Sequence, residues 1–256
     1  MKDKIIVVTH KDYHFPKENM YMPICVGTGI SELKNTYQAD NTGVNISSKN
    51  ISYCELSAIF WAWKNLDISK CDYIGVNHYR RYFSIEKNQT FVEYAISQRE
   101  FDTLKKNNLK GTIYVTPKRW YLTSIKAHYI KSLAGYEKIH EKDIQRLIAA
   151  IHTLAPEYDK VAEKVLNGHS AHMLNMFLMP VADFISYCNW LFPIVEYIEL
   201  LSEDRKDIRR YLGALSEFML DMWLLYNNKN VVELQLLETE KVSLLTRIRN
   251  YVKRKI

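Results

Sequence analysis

Glycine and proline are scarce, at 8 and 6 of 256 residues. That excludes a collagen-like or low-complexity chain. No stretch repeats with the period of a solenoid. The four cysteines, Cys25, Cys54, Cys71 and Cys188, are widely spaced and form no C-x-x-C. Neither a zinc site nor a disulfide framework fits, so buried thiols in a reducing compartment are expected. No apolar run is long enough to span a bilayer. The opening run Ile5-Ile-Val-Val8 is too short for the core of a signal peptide, and no small-residue cleavage site follows. The chain is therefore expected in the cytosol.

What is present is a hydrophobic content of 47%, enough for one large core. The charge is uneven. Of 35 basic residues against 29 acidic ones, six fall within residues 241–256, which hold no acid. The remaining body is neutral, so no nucleic-acid partner is expected. Within the tail, Val242, Leu245, Ile248, Val252 and Ile256 form one helical stripe among the basic residues. A basic amphipathic helix reads as an anchor on a membrane surface, the alternative being a solvated terminal helix. The expected organisation is one domain over residues 1–240 and a tail over 241–256, peripherally associated with the inner face of the cell membrane.

Strands are expected at 5–8, 73–76, 112–115, 173–179 and 231–237, and a long loop over 27–48. Ser52-Tyr-Cys-Glu55 reads as a capping box before an amphipathic helix carrying Leu56, Ile59, Phe60 and Trp63. Ser97-Gln-Arg-Glu100 reads as a second box. Further helices are expected at 124–133, 143–154, 157–167, 182–201 and 207–226, with Pro193 kinking or breaking the fourth. Strands alternating with helices define an α/β class with a mainly parallel sheet.

Four strings carry a resemblance: Asp40-Asn-Thr-Gly-Val-Asn-Ile-Ser47, Tyr53-Cys-Glu-Leu56, Phe60-Trp-Ala-Trp-Lys-Asn65 and Asp72-Tyr-Ile-Gly-Val-Asn-His-Tyr-Arg-Arg-Tyr-Phe83. So do Pro156-Glu-Tyr158, Asn175-Met-Phe-Leu178 and Ser216-Glu217. With them the chain resembles the capsular and exopolysaccharide biosynthesis proteins once filed as a domain of unknown function and now treated as glycosyltransferases. Ala39, Val44 and Gly213-Ala-Leu215 depart from that family's usual pattern. The resemblance implies a GT-A-like, Rossmann-related fold with a helical C-terminal part. It implies a nucleotide-sugar donor, a UDP-sugar or UDP-galactofuranose, and a lipid-linked glycan acceptor in capsule, exopolysaccharide or O-antigen synthesis. The alternative is a non-catalytic sugar- or nucleotide-binding scaffold of a polysaccharide assembly complex.

In such sheets ligands lie beyond the carboxyl ends of the strands. Thr9 with His10, and the cluster Asn77 to Arg81, are expected to face one crevice. Transfer from a nucleotide sugar expels a diphosphate, whose growing charge is stabilised by fixed cations. No Asp-x-Asp is present to hold a metal. His78, Arg80 and Arg81, flanked by Tyr79, can neutralise the diphosphate directly. Alternatively His78 or Asp40 holds Mn²⁺ or Mg²⁺, or the arginines are solvated at a strand end. Asp40, Asn41, Asn45 and Ser47 either bind nucleoside and sugar hydroxyls or bond their own turn. Glu217, among apolar neighbours, is the candidate base, with Asp221 its rival and a solvated cap the alternative. Asn175 and Trp63 are assigned to the acceptor, although Trp61 and Trp63 also read as core. Glu55 reads as a helix cap. His169 and His172 have metal-like spacing but no third ligand, so they read as satisfied or solvated side chains.

Overall fold

The computed structural model describes residues 3–132, 139–205 and 208–240. The basic tail, the end of the helix expected at 124–133 and the start of the one expected at 207–226 lie outside the described residues. The first strand, β1 (Lys4–Thr9), is followed by β2 (Tyr21–Cys25), the short helix α1 (Ile30–Leu33) and β3 (Gln38–Ala39). Helices α2 (Asn50–Tyr53) and α3 (Leu56–Asn65) lead to strands β4 (Tyr73–His78) and β5 (Arg81–Ser84). Next come α4 (Gln98–Asn107), β6 (Ile113–Val115), β7 (Arg119–Trp120) and α5 (Ile125–Ser132). Helices α6 (Glu141–Leu154) and α7 (Asp159–Asn167) precede β8 (Ser170–Ala171) and β9 (Phe177–Pro180). The remainder holds α8 (Val181–Leu200), α9 (Tyr211–Ser216), α10 (Met219–Tyr226), β10 (Val231–Glu233) and β11 (Gln235–Glu238).

The main sheet has the order β10-β6-β9-β4-β1-β2-β3. Parallel pairs join β1 to β2 and β4, β2 to β3, and β10 to β6. Strand β9 runs antiparallel to both of its neighbours, β4 and β6. This is the α/β class expected, with a mainly parallel sheet. Residues paired across strands share a face. Tyr114 and Gly75 both pair with Leu178, and Phe177 pairs with Val76 and Val115, so the two sets mark opposite faces. Phe101 of α4 packs on Tyr73 and Tyr114, covering the first face. Phe184 and Tyr187 of α8 pack on Phe177, covering the second. Burial on both faces explains why β1 and β4 read as continuous apolar runs instead of alternating ones.

The topology sets where chemistry collects. Strands β1, β4, β6 and β10 end at Thr9, His78, Val115 and Glu233 on one edge of the sheet. Strand β9, running the other way, begins there. Its lead-in residues Leu174 and Asn175, both at positive φ (78° and 50°), therefore reach the same edge.

Several local expectations change. Ser97 and Glu100 form the expected capping box, but Ser52 and Glu55 do not. Cys54 adopts φ 52° and splits α2 from α3, which starts at Leu56 with no side-chain cap bond from Glu55. Asn50 stabilises the split by donating to the Cys54 carbonyl at 2.8 Å. Helix α8 continues through Pro193, because Leu191, Phe192, Ile194 and Val195 bury almost completely and outweigh one lost backbone bond. The helix expected over 207–226 breaks at Glu217. There Ser216 Oγ donates to the Gly213 carbonyl at 2.8 Å, competing with the helical ladder. The expected strand 173–179 shortens to β9 because of the Leu174–Asn175 turn, and 231–237 divides at Leu234.

Candidate active site

The centre of the carboxyl edge is a carboxylate pair. Glu55 and Glu217 line one cavity of about 90 Å³ together with Cys54, Tyr129, Arg210 and Gly213. Glu55 is 9% exposed, and its Oε1 accepts a 2.7 Å bond from Asn175 Nδ2. The same amide donates to Ser216 Oγ at 2.9 Å. Tyr129 donates its hydroxyl hydrogen to Glu217 Oε2. Burial raises the pKa of both acids above the ordinary carboxylate range. The Asn175 bond and the charges of Arg210 and Arg81 oppose this at Glu55. At Glu217 the Tyr129 bond lowers it, while the neighbouring Glu55 charge pushes it further up.

Beside the pair lies the end of β4. His78 Nε2 bonds the Leu174 carbonyl at 2.7 Å, which assigns the ring proton to that nitrogen and leaves Nδ1 as an acceptor. Burial, with Arg81 and Arg210 adding to it, pushes its pKa down to about 4 against the pull of the Leu174 bond. His78 is thus uncharged at neutral pH. Tyr79 packs edge-on to His10, with centroids 5.1 Å apart, and the Arg80 guanidinium lies 5.4 Å from its ring centre. The two strand ends of β1 and β4 therefore do meet. Arg80 Nη1 is paired with Glu240 at 2.6 Å, and Arg81 Nε with Glu238 at 3.1 Å. Both arginines are thus paired with acids while remaining partly exposed to solvent. Thr9 Oγ1 is occupied locally by the Lys11 carbonyl and amide.

The 40–47 loop follows β3 at the same edge, but much of its polarity is internal. Asp40 is fully buried, accepts from Ser47 Oγ at 2.6 Å and has its pKa raised by burial. Asn45 bonds the Gly43 carbonyl and the Ser47 amide, while Asn41 is exposed. Trp61 and Asn65 of α3 clamp this loop through Thr42 and Val44. Gly43, at φ 56°, is required there, since a Cβ would lie 2.1 Å from Asn65 Oδ1. Trp63 stacks on Phe192 at 5.4 Å under Lys64, in the α3–α8 interface. Asp221 accepts from the His172 amide at 2.8 Å and bonds its ring Nδ1. His169 instead approaches the Tyr121 carbonyl, so the two histidines serve different partners. Among the described residues no three His, Cys, Asp or Glu side chains gather as a metal site.

Sequence reasoning missed Glu55, Tyr129 and Arg210. The Tyr53-Cys-Glu-Leu string pointed at Glu55, but its helix-start spacing suggested a cap. Nothing local marks Tyr129, which reaches Glu217 across 88 residues.

The fold and this edge define an α/β protein whose strand ends bear Arg80 and Arg81 and whose small cavity holds the acid pair Glu55 and Glu217 beside Arg210. The chain belongs to the family described as "Domain of unknown function (DUF4422)", whose profile matches residues 4–229. No curated protein matches it. It is similar to the solved apo structure of the bifunctional glycosyltransferase WbbM, with a TM-score of 0.75 and 26% identity over 94% of this chain. That match spans 46% of the WbbM chain, so this chain covers about half of its relative's length. The expected GT-A-like class agrees with that neighbour. No helix among the described residues is long and apolar enough to cross a membrane.

Proposed function

We propose that this chain is a glycosyltransferase that moves a sugar from a nucleotide-activated donor to a hydroxyl group of a glycan acceptor. The observation that carries this reading is Glu217: a partly buried carboxylate of raised proton affinity, beside a second acid, at the strand-end edge that also bears Arg80, Arg81 and Arg210. The likeness to WbbM supports it.

In this reading Glu217 takes the proton of the acceptor hydroxyl as its oxygen bonds the donor's anomeric carbon. Tyr129 holds the carboxylate in place. The bond from that carbon to the diphosphate breaks, and the diphosphate leaves with the electron pair. Arg80 and Arg81 meet its negative charge, trading Glu240 and Glu238 for phosphate oxygens. Neutral His78 contributes a hydrogen-bond acceptor through Nδ1. A UDP-sugar donor, UDP-galactofuranose included, and a lipid-linked acceptor in surface-polysaccharide assembly are the substrates this reading favours. Docking of the basic tail on the inner membrane surface belongs to the same proposal.

The test is thermal stabilisation by a panel of nucleotides and nucleotide sugars, with and without Mn²⁺, followed by turnover. A ligand at a hundred times its dissociation constant adds about 2.7 kcal/mol of stability. One nucleotide class should raise the melting point, and Arg80→Ala should abolish the rise. Stabilisation without turnover by any donor would favour the scaffold reading instead.

A further inference from the structure

A second and larger hollow runs along the outer strand β10, from Lys229 and Val231 at its start to Glu233 at its carboxyl end. Its volume is about 690 Å³, within the roughly 300–1,000 Å³ typical of small-ligand sites. A polar chain runs through it. His172, 5% exposed, bonds Asp221 through Nδ1, and its Nε2 lies 3.3 Å from Glu233 Oε1. Lys118, which follows β6, and Lys229, paired with Asp183 at 2.7 Å, add donors. Val165, Leu224 and Leu225 supply apolar wall between them. A lining of apolar patches interrupted by donors and acceptors matches a sugar, whose ring faces are apolar and whose rim is hydroxylated.

The ribbon of β7 and β8 forms one border. Trp120 pairs directly with Ser170, which lines the hollow. Opposed residues of an antiparallel pair project from the same face, so Trp120 stands on the hollow's side of the ribbon. Trp120 is 71% exposed. An indole offers a flat apolar face with a polar tip, the surface on which a pyranose or furanose ring stacks. The hollow also adjoins the proposed base. Asp221 lies in the first turn of α10, just after the break that holds Glu217, and the Tyr129 hydroxyl that binds Glu217 lies 3.9 Å from the sulfur of Met173, next to His172.

We propose that this hollow is the acceptor-saccharide site, with a sugar ring stacked on Trp120 and its hydroxyls bonded to the Asp221–His172–Glu233 chain. The acceptor aromatic is then Trp120 and not the packed Trp63. Calling the saccharide an acceptor rests on the glycosyl-transfer reading above; the site itself does not.

Saturation-transfer NMR without nucleotide tests it. The probes are methyl glycosides and disaccharides of galactose, glucose, N-acetylglucosamine and glucuronic acid. At least one should bind. Trp120→Ala should weaken that binding by roughly tenfold, the loss of about 1.4 kcal/mol of stacking. Trp120→Phe should retain most of it, and Arg80→Ala should leave it unchanged. Because Trp120 is exposed, the melting point of Trp120→Ala should match that of the parent. Donor hydrolysis is measured on the same proteins. No saccharide binding, or binding indifferent to Trp120→Ala, overturns the site even where donor hydrolysis persists. Binding that depends on Trp120 in a protein that hydrolyses no donor keeps the site and removes the transfer reading.

Discussion

The side-chain amide of Asn175 donates to Glu55 Oε1 at 2.7 Å across 120 residues of sequence. Asn175 holds φ 50° to do so, in a turn set by the start of an antiparallel strand. The bond gives a buried carboxylate one of its few donors. Asn175→Ala should therefore destabilise the protein by about 1–3 kcal/mol, the range for a buried group left unsatisfied. Chemical denaturation checks this. A loss below about 0.5 kcal/mol, within the range of ordinary surface substitutions, would show that Glu55 finds another donor at no cost.

Glu217 should set the acid limb of activity. Its pKa lies above the ordinary 4.5 because burial disfavours the charged form. A base must be unprotonated, so the rate should rise with pH through a midpoint above 4.5. Stability should move the opposite way. The folded chain holds this proton more tightly than the unfolded one. The stabilising contribution is complete below the unfolded value and disappears as pH rises through the folded value. Glu217→Gln should lower kcat by about 10²–10⁴-fold, the usual range for a positioned acid or base. It should also flatten the fall of melting point with pH. A variant that keeps wild-type kcat would remove Glu217 from the chemistry.

Glu240 competes for Arg80. The pair is 35% and 42% exposed, so it is screened and weak. Glu240→Gln should free the guanidinium and tighten nucleotide binding by about two- to fivefold at low salt, the worth of a surface ion pair. Titration calorimetry at two salt concentrations reads this, and the gain should shrink as salt rises. Weaker binding in the variant would mean that Glu240 positions Arg80 for phosphate and does not compete with it.

The class and the edge were legible because both follow from patterns of short range. The apolar runs of β1 and β4, each ending in polar residues, gave adjacent parallel strands and placed Thr9, His10 and the 77–81 cluster together. The capping box at Ser97 was equally local. What escaped was every feature fixed by distant contacts. Ser52 and Glu55 have a capping-box spacing, yet Glu55 is drawn inward by Asn175 and Cys54 takes a positive φ of 52° against Gly213. A Cβ on Gly213 would sit 2.9 Å from that of Cys54, so the glycine permits this close approach. The break before Glu217 hides within a strong helical pattern because a single Ser216 hydroxyl causes it. Arg80 and Arg81 were recognisable as cations, but their partners lie about 160 residues away on and just after β11.

The antiparallel placement of β9 has a consequence for how such chains diversify. The two banks of the crevice derive from separate stretches of sequence, 9–81 and 118–233. They meet along the seam where Gly75 faces Leu178, and a Cβ on Gly75 would lie 2.2 Å from Leu178 Cδ2. Recombination that replaces the later stretch would graft a new second bank onto an inherited first one. The incoming stretch must bring a β9 side chain that the Gly75 notch accepts, and it must also renew contacts such as Asn175 to Glu55 and Phe192 to Trp63.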